Sequence, residues 1–390
     1  MPANKPPFDG EWVKLGDVCK VVGGSTPKTD DPGNWGGDIK WVTPAEIRES
    51  VNLVTDTLKH VTPQGVRAAR LRIMPAGTVL LTTRAPIGKV ALAGDEMCCN
   101  QGFKCLICSS EISNEWLLRL LRYKSCELQQ MGTGATFREL SKKVVSSYRV
   151  KLPAMASQLL TVERLSSLEK LLRVLRRQLV LLDQLVKSRF VEIFGSYSNE
   201  FETTLQDVSE FVTVGIANAA THAYVDSGVV MLRNLNVREN QLEDSDLVYI
   251  DPEFAAKYKK KRLKAGDILV TRTGYPGIAC VVPKKYEGCQ TFTTLIVRLR
   301  DDSPVTAEYV SQLINSPIGK EFVGRFKAGS SQQNFGATAL KMMPIGIPPL
   351  ALQQEFASFV AEVDKSRFIV QQKIEKLQTL YDSLAQEYFG

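Results

Sequence analysis

Histidine is nearly absent from this sequence: among 390 residues only His60 and His222 occur. A histidine acid–base relay or a His-rich zinc centre is therefore not expected. Long apolar runs are missing too. No stretch approaches the roughly 20 residues that cross a bilayer, and Met1–Gly10 is polar and proline-rich, without the apolar core of a secretion signal. The expectation is a cytoplasmic chain with no membrane contact. Charge of one sign is not in large excess either: 49 Lys and Arg against 42 Asp and Glu leave +7, which favours contact with polyanions without demanding it. The 44% hydrophobic content suffices for two or more cores.

Catalytic signatures are also missing. Gly88-Lys89 and Gly319-Lys320 are followed by Val90 and Glu321, where a phosphate loop needs Ser or Thr. No GxGxxG opens a helix after a strand, no Asp-Pro-Pro-Tyr or Asn-Pro-Pro-Tyr loop offers adenine methylation, and no GxSxG elbow is present. The eight cysteines are scattered through a large chain without an export signal, which points to reduced thiols. Cys105 and Cys108 form a CxxC, but the residues around them alternate like a strand and the second half carries Thr294 and Val297 there. Buried thiols are expected, with no metal and no cofactor held by this chain.

What the chain does have is one long helical pattern written twice. Residues 153–195 and 348–390 align without a gap at an offset of 195, with Pro153/Pro348, Gln158/Gln353, Lys170/Lys365, Glu192/Glu387, Phe194/Phe389 and Gly195/Gly390 among the identities. Leu165, Leu168, Leu172, Leu175, Leu179, Leu182, Val186 and Ile193 step by threes and fours in the first copy, passing over polar Arg189. Val360, Val363, Val370, Ile374, Leu377, Tyr381, Leu384 and Tyr388 keep the same phase in the second. A 3.5-residue apolar repeat is a coiled-coil seam, so each helix needs a partner, and the two copies are expected to pair. At about 1.5 Å per residue each would be a rod of roughly 60 Å. The seam by itself leaves parallel and antiparallel open. Arg367 stands where the first copy has Leu172, a polar intrusion that sets register at some cost in stability.

A globular segment precedes each helix, which divides the chain into 1–152, 153–196, 197–347 and 348–390. The two segments repeat one another. Leu205 to Val208 answers Leu15 to Val18 and Val229 to Val237 answers Ile39 to Ile47, both at offset 190, while Ala265 to Gly277 answers Ala76 to Gly88 at offset 189. Gln290 and Phe292 are matched to Gln101 and Phe103. Strands are expected at 39–43, 80–84, 103–108 and 148–152, and one helix from about Glu115 to Gln130.

The loops carry binding chemistry. Arg84, Gln101, Arg233, Asn234, Arg272, Gln290, Gln332 and Asn334 are the types that make paired contacts to base edges, Arg to guanine and Asn or Gln to adenine. The polar loops around them add Thr26, Lys28 and Thr43, then Thr133, Thr136 and Arg138 in the first half, with Tyr275 and Ser331 in the second. Lys260 lies in a basic run, Lys257 to Lys264, suited to phosphates, as are Arg67, Arg70 and Arg72.

Taken together, Trp12 with Leu15-Gly-Asp-Val18, Gly24-Ser-Thr-Pro27, Ile39-Lys-Trp-Val-Thr-Pro44, Gly77 to Gly88 with Thr83-Arg84, Asn100-Gln-Gly-Phe103 and the proline-led long helices resemble the specificity subunits of type I restriction-modification systems. The likeness departs at the helix starts, where the family usually has Pro-Pro-Leu followed by Glu-Gln and this chain has Ser157-Gln158 and Leu352-Gln353. The resemblance implies an α+β protein: two similar mixed α/β target-recognition domains joined by two long helices in an antiparallel coiled coil. It also implies binding of double-stranded DNA at a split, asymmetric site, and docking of two modification (methyltransferase) subunits that bring S-adenosylmethionine and methylate adenine. A restriction or translocase subunit can join. The chain itself would be non-catalytic. Alternatives are a specificity subunit of a combined nuclease-methyltransferase and a coiled-coil scaffold that binds protein.

Overall fold

The computed structural model describes every residue except 1–9, 49–52, 85, 134–137, 196, 198–202, 217–221 and 328–334. The chain forms two compact units: Met1–Leu175 with Lys373–Gly390, and Arg176–Gln372. In the first unit the elements run β1 (Glu11–Lys14), α1 (Leu15–Val18), β2 (Cys19–Gly23), β3 (Trp35–Val42), β4 (Leu53–Val54), β5 (Lys59–Val61), α2 (Pro63–Ala68), β6 (Val79–Thr82), β7 (Val90–Ala93), β8 (Met97–Cys99), β9 (Phe103–Cys108), α3 (Asn114–Tyr123), α4 (Ser125–Gln130), α5 (Lys142–Ser147), β10 (Arg149–Leu152) and the long α6 (Met155–Phe194). The second follows with β11 (Thr203–Thr204), α7 (Leu205–Val208), β12 (Ser209–Val214), β13 (Tyr224–Val225), β14 (Val229–Leu232), β15 (Val237–Arg238), β16 (Gln241–Leu242), β17 (Val248–Ile250), α8 (Pro252–Lys257), β18 (Ile268–Val270), β19 (Ala279–Val281), β20 (Gln290–Thr291), β21 (Leu295–Leu299), α9 (Ala307–Asn315), α10 (Pro317–Lys327), α11 (Ala337–Lys341), β22 (Pro344–Ile345) and the long α12 (Leu350–Phe389).

The two units share one topology. A sheet ordered β2-β9-β6-β7-β4 in the first corresponds to β12-β21-β18-β19 in the second, and β5-β3-β8 corresponds to β17-β14-β20. A parallel pairing is repeated in both, β3 with β8 and β14 with β20, while the first unit adds a second, β4 with β7. In both, the central strands are buried on both faces, so Val79-Leu-Leu and Ile268-Leu-Val read as unbroken apolar runs rather than alternating ones.

The expected single helix from Glu115 to Gln130 is broken at Lys124, which closes α3 and opens α4. The break turns α4 against the loop after β6, where Gln129 Nε2 donates to Ile87 O at 3.2 Å.

Each unit holds a segment of both long helices, and in each the segments run antiparallel. In the first, Arg164 bonds Tyr388 and Glu169 bonds Tyr381. In the second, Asp183 meets Arg367 and Arg189 meets Glu355. Arg367, the expected intrusion, is thus satisfied across the seam by Asp183 and along its own helix by Asp364. Leu165, Leu168, Leu172 and Val186 are buried as the heptads require, but the last buried positions of α6 are Phe190 and Phe194 rather than Ile193. There the helix steps by fours and its aromatic residues join the domain core while still meeting α12, with Phe194 against Tyr309 of α9 and Phe356 of α12. Phe389 likewise joins the core against Trp116 in the first unit.

The helix starts are fixed by the paired glutamines. Gln158 is wholly buried, accepts from Ser113 N at 2.8 Å and donates to Glu111 O and Pro153 O. Gln353 accepts from Thr306 N at 2.7 Å and donates to Pro304 O and Pro348 O. Ser113 and Thr306 are the N-caps of α3 and α9, so one amide joins two helix starts.

Candidate nucleic-acid interface

In the first unit the turn after β6 is built by Thr82, whose hydroxyl donates to Pro86 O at 2.7 Å and accepts from Lys89 N at 3.0 Å. Thr271 repeats this in the second unit with Tyr275 O at 2.6 Å and Ile278 N at 2.9 Å. Gly88 and Gly277 end the two turns at φ +93° and +88°, where a side chain would also crowd Ser125 or collide with Val323. These turns set Arg84 at the end of β6 and Arg272 and Tyr275 at the end of β18.

Around the first turn the β6–β9 ladder, Thr82 opposite Phe103, continues through Thr83 N to Gly102 O at 2.7 Å. Arg84 and Gln101 therefore leave the sheet at one end. Gln101 is exposed and its Oε1 accepts from the Thr26 hydroxyl. The Thr26 loop is pinned from beneath by two indoles, Trp41 Nε1 donating to Ser25 O at 3.1 Å and Trp35 Nε1 to Lys28 O at 3.0 Å, with the rings edge to face. Arg84 is half exposed and paired with Glu139 at 2.9 Å, and Lys104 takes the other oxygen of that carboxylate at 3.1 Å. Burial alone would raise the Glu139 pKa, but bonds from Arg84 and Lys104 hold it below the usual range. The cluster keeps a net positive charge. Thr133 pairs its backbone with Glu139, and exposed Arg138 adjoins it. Thr136 lies outside the described residues. Thr43 is half-buried and its hydroxyl is spent on Glu46 at 2.7 Å in a capping box.

The second unit gathers Arg233, Asn234, Arg272 and Tyr275. Asn234 Nδ2 donates to Thr273 Oγ1 at 2.6 Å, its Oδ1 and the Arg272 Nε are buried without a partner among the described residues, and Tyr275 is 83% exposed at the turn tip. Arg233 pairs with Asp246 at 2.9 Å. Lys260 is exposed on a helical turn, Lys259–Lys261. Ser331, Gln332 and Asn334 lie outside the described residues.

Gln290 is a correction. It is completely buried and its amide donates to Ala255 O at 2.9 Å and Tyr258 O at 3.1 Å, so it braces the basic turn from inside and cannot reach a base. Its match to Gln101 fails as well. Parallel register sets Met231 opposite Gln290 and Trp41 opposite Cys98, which makes Cys98 its counterpart. Three residues of drift, from an offset of 189 to one of 192, hid this. At the ends of β6 and β18 the offset of 189 holds: Arg272 answers buried Thr83, since Phe335 N bonds Arg272 O as Leu140 N bonds Thr83 O, and Thr273 answers Arg84. Lys104, Glu139 and the two tryptophan pins were not among the candidates. The Thr82/Thr271 identity at offset 189 is the signal that could have pointed to the shared turn.

One mixed α/β scaffold present twice, each copy displaying a different polar loop set, defines a two-headed recognition protein. The chain belongs to the family of the type I restriction modification DNA specificity domain, whose model matches residues 7–182 and again 202–379. It is similar to the type I restriction enzyme MjaIX specificity subunit of Methanocaldococcus jannaschii, 32% identical over 202 residues, or 51% of this chain and 46% of the relative. It is also similar to the type I restriction enzyme EcoR124I/EcoR124II specificity subunit of Escherichia coli, 24% identical over 41% of each. The matches thus span about half the length of these relatives or less. The crystal structure of a type I restriction-modification system S subunit from M. genitalium has the same fold, with a TM-score of 0.57 over 100% of this chain and 99% of that one at 11% identity.

Proposed function

We propose that this chain selects the DNA sequence on which a type I restriction-modification complex acts. Each domain reads one half of a split site and the paired helices dock two methyltransferase subunits that carry S-adenosylmethionine. The observation that carries the reading is the exchange of side chains on an unchanged turn: Thr83, Arg84 and Pro86 in one unit become Arg272, Thr273 and Tyr275 in the other. A duplicated frame with divergent contacts suits a bipartite, asymmetric target. Exposed apolar residues off the seam, Leu171 and Val174 on one part of α6 and Val180, Leu181 and Leu185 on the other, support partner docking. The adenine pocket, and any restriction subunit, come with the partners, and the recognition work is done beside DNA in the cytoplasm.

The test is to map methylated adenines genome-wide with and without this subunit beside its methyltransferase. Two short fixed sequences at a constant gap are expected, and replacing residues 1–152 by those of a relative should change one of them alone. A single contiguous target, or methyl transfer by this chain without a partner, would refute the reading.

A further inference from the structure

The CxxC is not a vicinal pair. Residues three apart on a strand point to opposite faces, so Cys105 joins Cys99 in one core and Cys108 meets Cys19 beside another. Cys19 stands directly opposite Cys108 in the β2–β9 ladder with the sulfurs 4.0 Å apart. Ser109 N bonds Val18 O, which makes that neighbouring pair the hydrogen-bonded one and Cys19/Cys108 the non-hydrogen-bonded one. Cα atoms in such pairs approach to about 4.5 Å, within reach of a disulfide. Access separates the two thiol pairs. Cys99 and Cys105 are closer, at 3.4 Å, but both are buried, whereas Cys108 is half-buried and lines an open cavity of about 400 Å³ with Pro75, Ser109 and Met155.

We propose that Cys108 is an oxidation site and Cys19 its resolving thiol, so that peroxide closes a reversible cross-strand disulfide in the first unit. The Cys108 thiolate attacks one oxygen of hydrogen peroxide, the O–O bond breaks, and hydroxide leaves with the electron pair, giving a sulfenic acid. The Cys19 sulfur then attacks the Cys108 sulfur, the S–O bond breaks, and the departing oxygen leaves as water with the Cys19 proton. Two thiols lose two electrons and one peroxide becomes two waters once the hydroxide is protonated. The hydrogen bond from Cys19 favours this order, since it lowers the Cys108 pKa while it raises that of Cys19. The second unit has Ser209 and Leu299 at these places and lacks the device.

The experiment treats the full chain carrying Cys126→Ser, which removes an exposed lone thiol, with graded hydrogen peroxide and maps the peptides by mass spectrometry. A bridge between Cys19 and Cys108, two hydrogens lighter and reopened by dithiothreitol, is expected first. Adding Cys19→Ser should abolish the bridge and leave Cys108 trappable by dimedone. Oxidation that begins at Cys99–Cys105, or a Cys108 that stays unmodified at peroxide levels that oxidise Cys126 in the parent chain, overturns the proposal.

Discussion

The two units solve one packing problem with different chemistry. Where α3 of the first meets the long helices, Arg119 is nearly inaccessible and donates to Glu169 and Ser166, both at 2.9 Å, while Tyr381 caps the other Glu169 oxygen at 3.1 Å. The corresponding residues in the second unit are Gln312, Asp364, Ala361 and Val186, each smaller than its counterpart. Their shortfall leaves a cavity of about 210 Å³ lined by Gln312, Val186, Asp364 and Arg367. Arg367 supplies the missing cation from the seam, pairing with Asp183 and Asp364. The second unit places its own buried ion pair inside the sheet, where Arg298 grips Asp267 at 2.6 and 2.7 Å and lies over the Phe211 ring. The first unit has Thr78 and Ile107 there. A duplicated fold therefore conserves backbone hydrogen bonding and apolar volume, while the site of its charged reinforcement is free to move.

The difference can be broken at either end. Arg119→Ala strands the Glu169 carboxylate and should cost about 3–5 kcal/mol in denaturant unfolding, whereas Gln312→Ala beside an existing cavity should cost less than about 1. Equal costs would show that the seam network is not what separates the units. Next in size, Arg272→Ala and Arg84→Ala should each weaken binding by the assembled complex at one half-site by about 1–3 kcal/mol, provided that each reads a base. A loss that is the same on random DNA would assign the residue to phosphate instead. Where the units agree, the variants should too: Gln158→Ala and Gln353→Ala each leave a buried N-cap donor unmet, at about 1–3 kcal/mol, and unequal losses would break the symmetry of the helix starts.

The smallest effect is the pH dependence contributed by Glu139 in the first unit. Glu139 has its pKa held below the ordinary 4.5, so its contribution to stability is complete above that value and is lost as pH falls through the lowered one. Because the carboxylate is a third exposed, the contribution is small. Thermal unfolding between neutral and acid pH should show Glu139→Gln with a shallower acid decline than the parent. An identical decline would remove Glu139 from the account.

Much of this architecture was legible because it rests on periodicity. The heptads of α6 and α12, the turns at Gly88 and Gly277 and the apolar runs of β6 and β18 follow from local sequence. The candidate site was less legible. Arg84 and Gln101 share a sheet end as their loops suggested, but Gln290 has the same side chain as Gln101 and faces the core. A slip of the repeat by three residues, an odd number, changes which face of a strand a side chain occupies, and no count along the chain registers it.

By itself the sequence determined that there are two similar domains, two long helices with a matched seam, and loops rich in groups that bond to bases. Its repeats are local patterns, and local patterns survive drift. Only the tertiary structure decided that the helix segments run antiparallel, that Gln158 and Gln353 lock their starts, and which polar side chains face outward. Those outcomes depend on which strand lies opposite which, and that register is set by contacts between residues far apart in the chain.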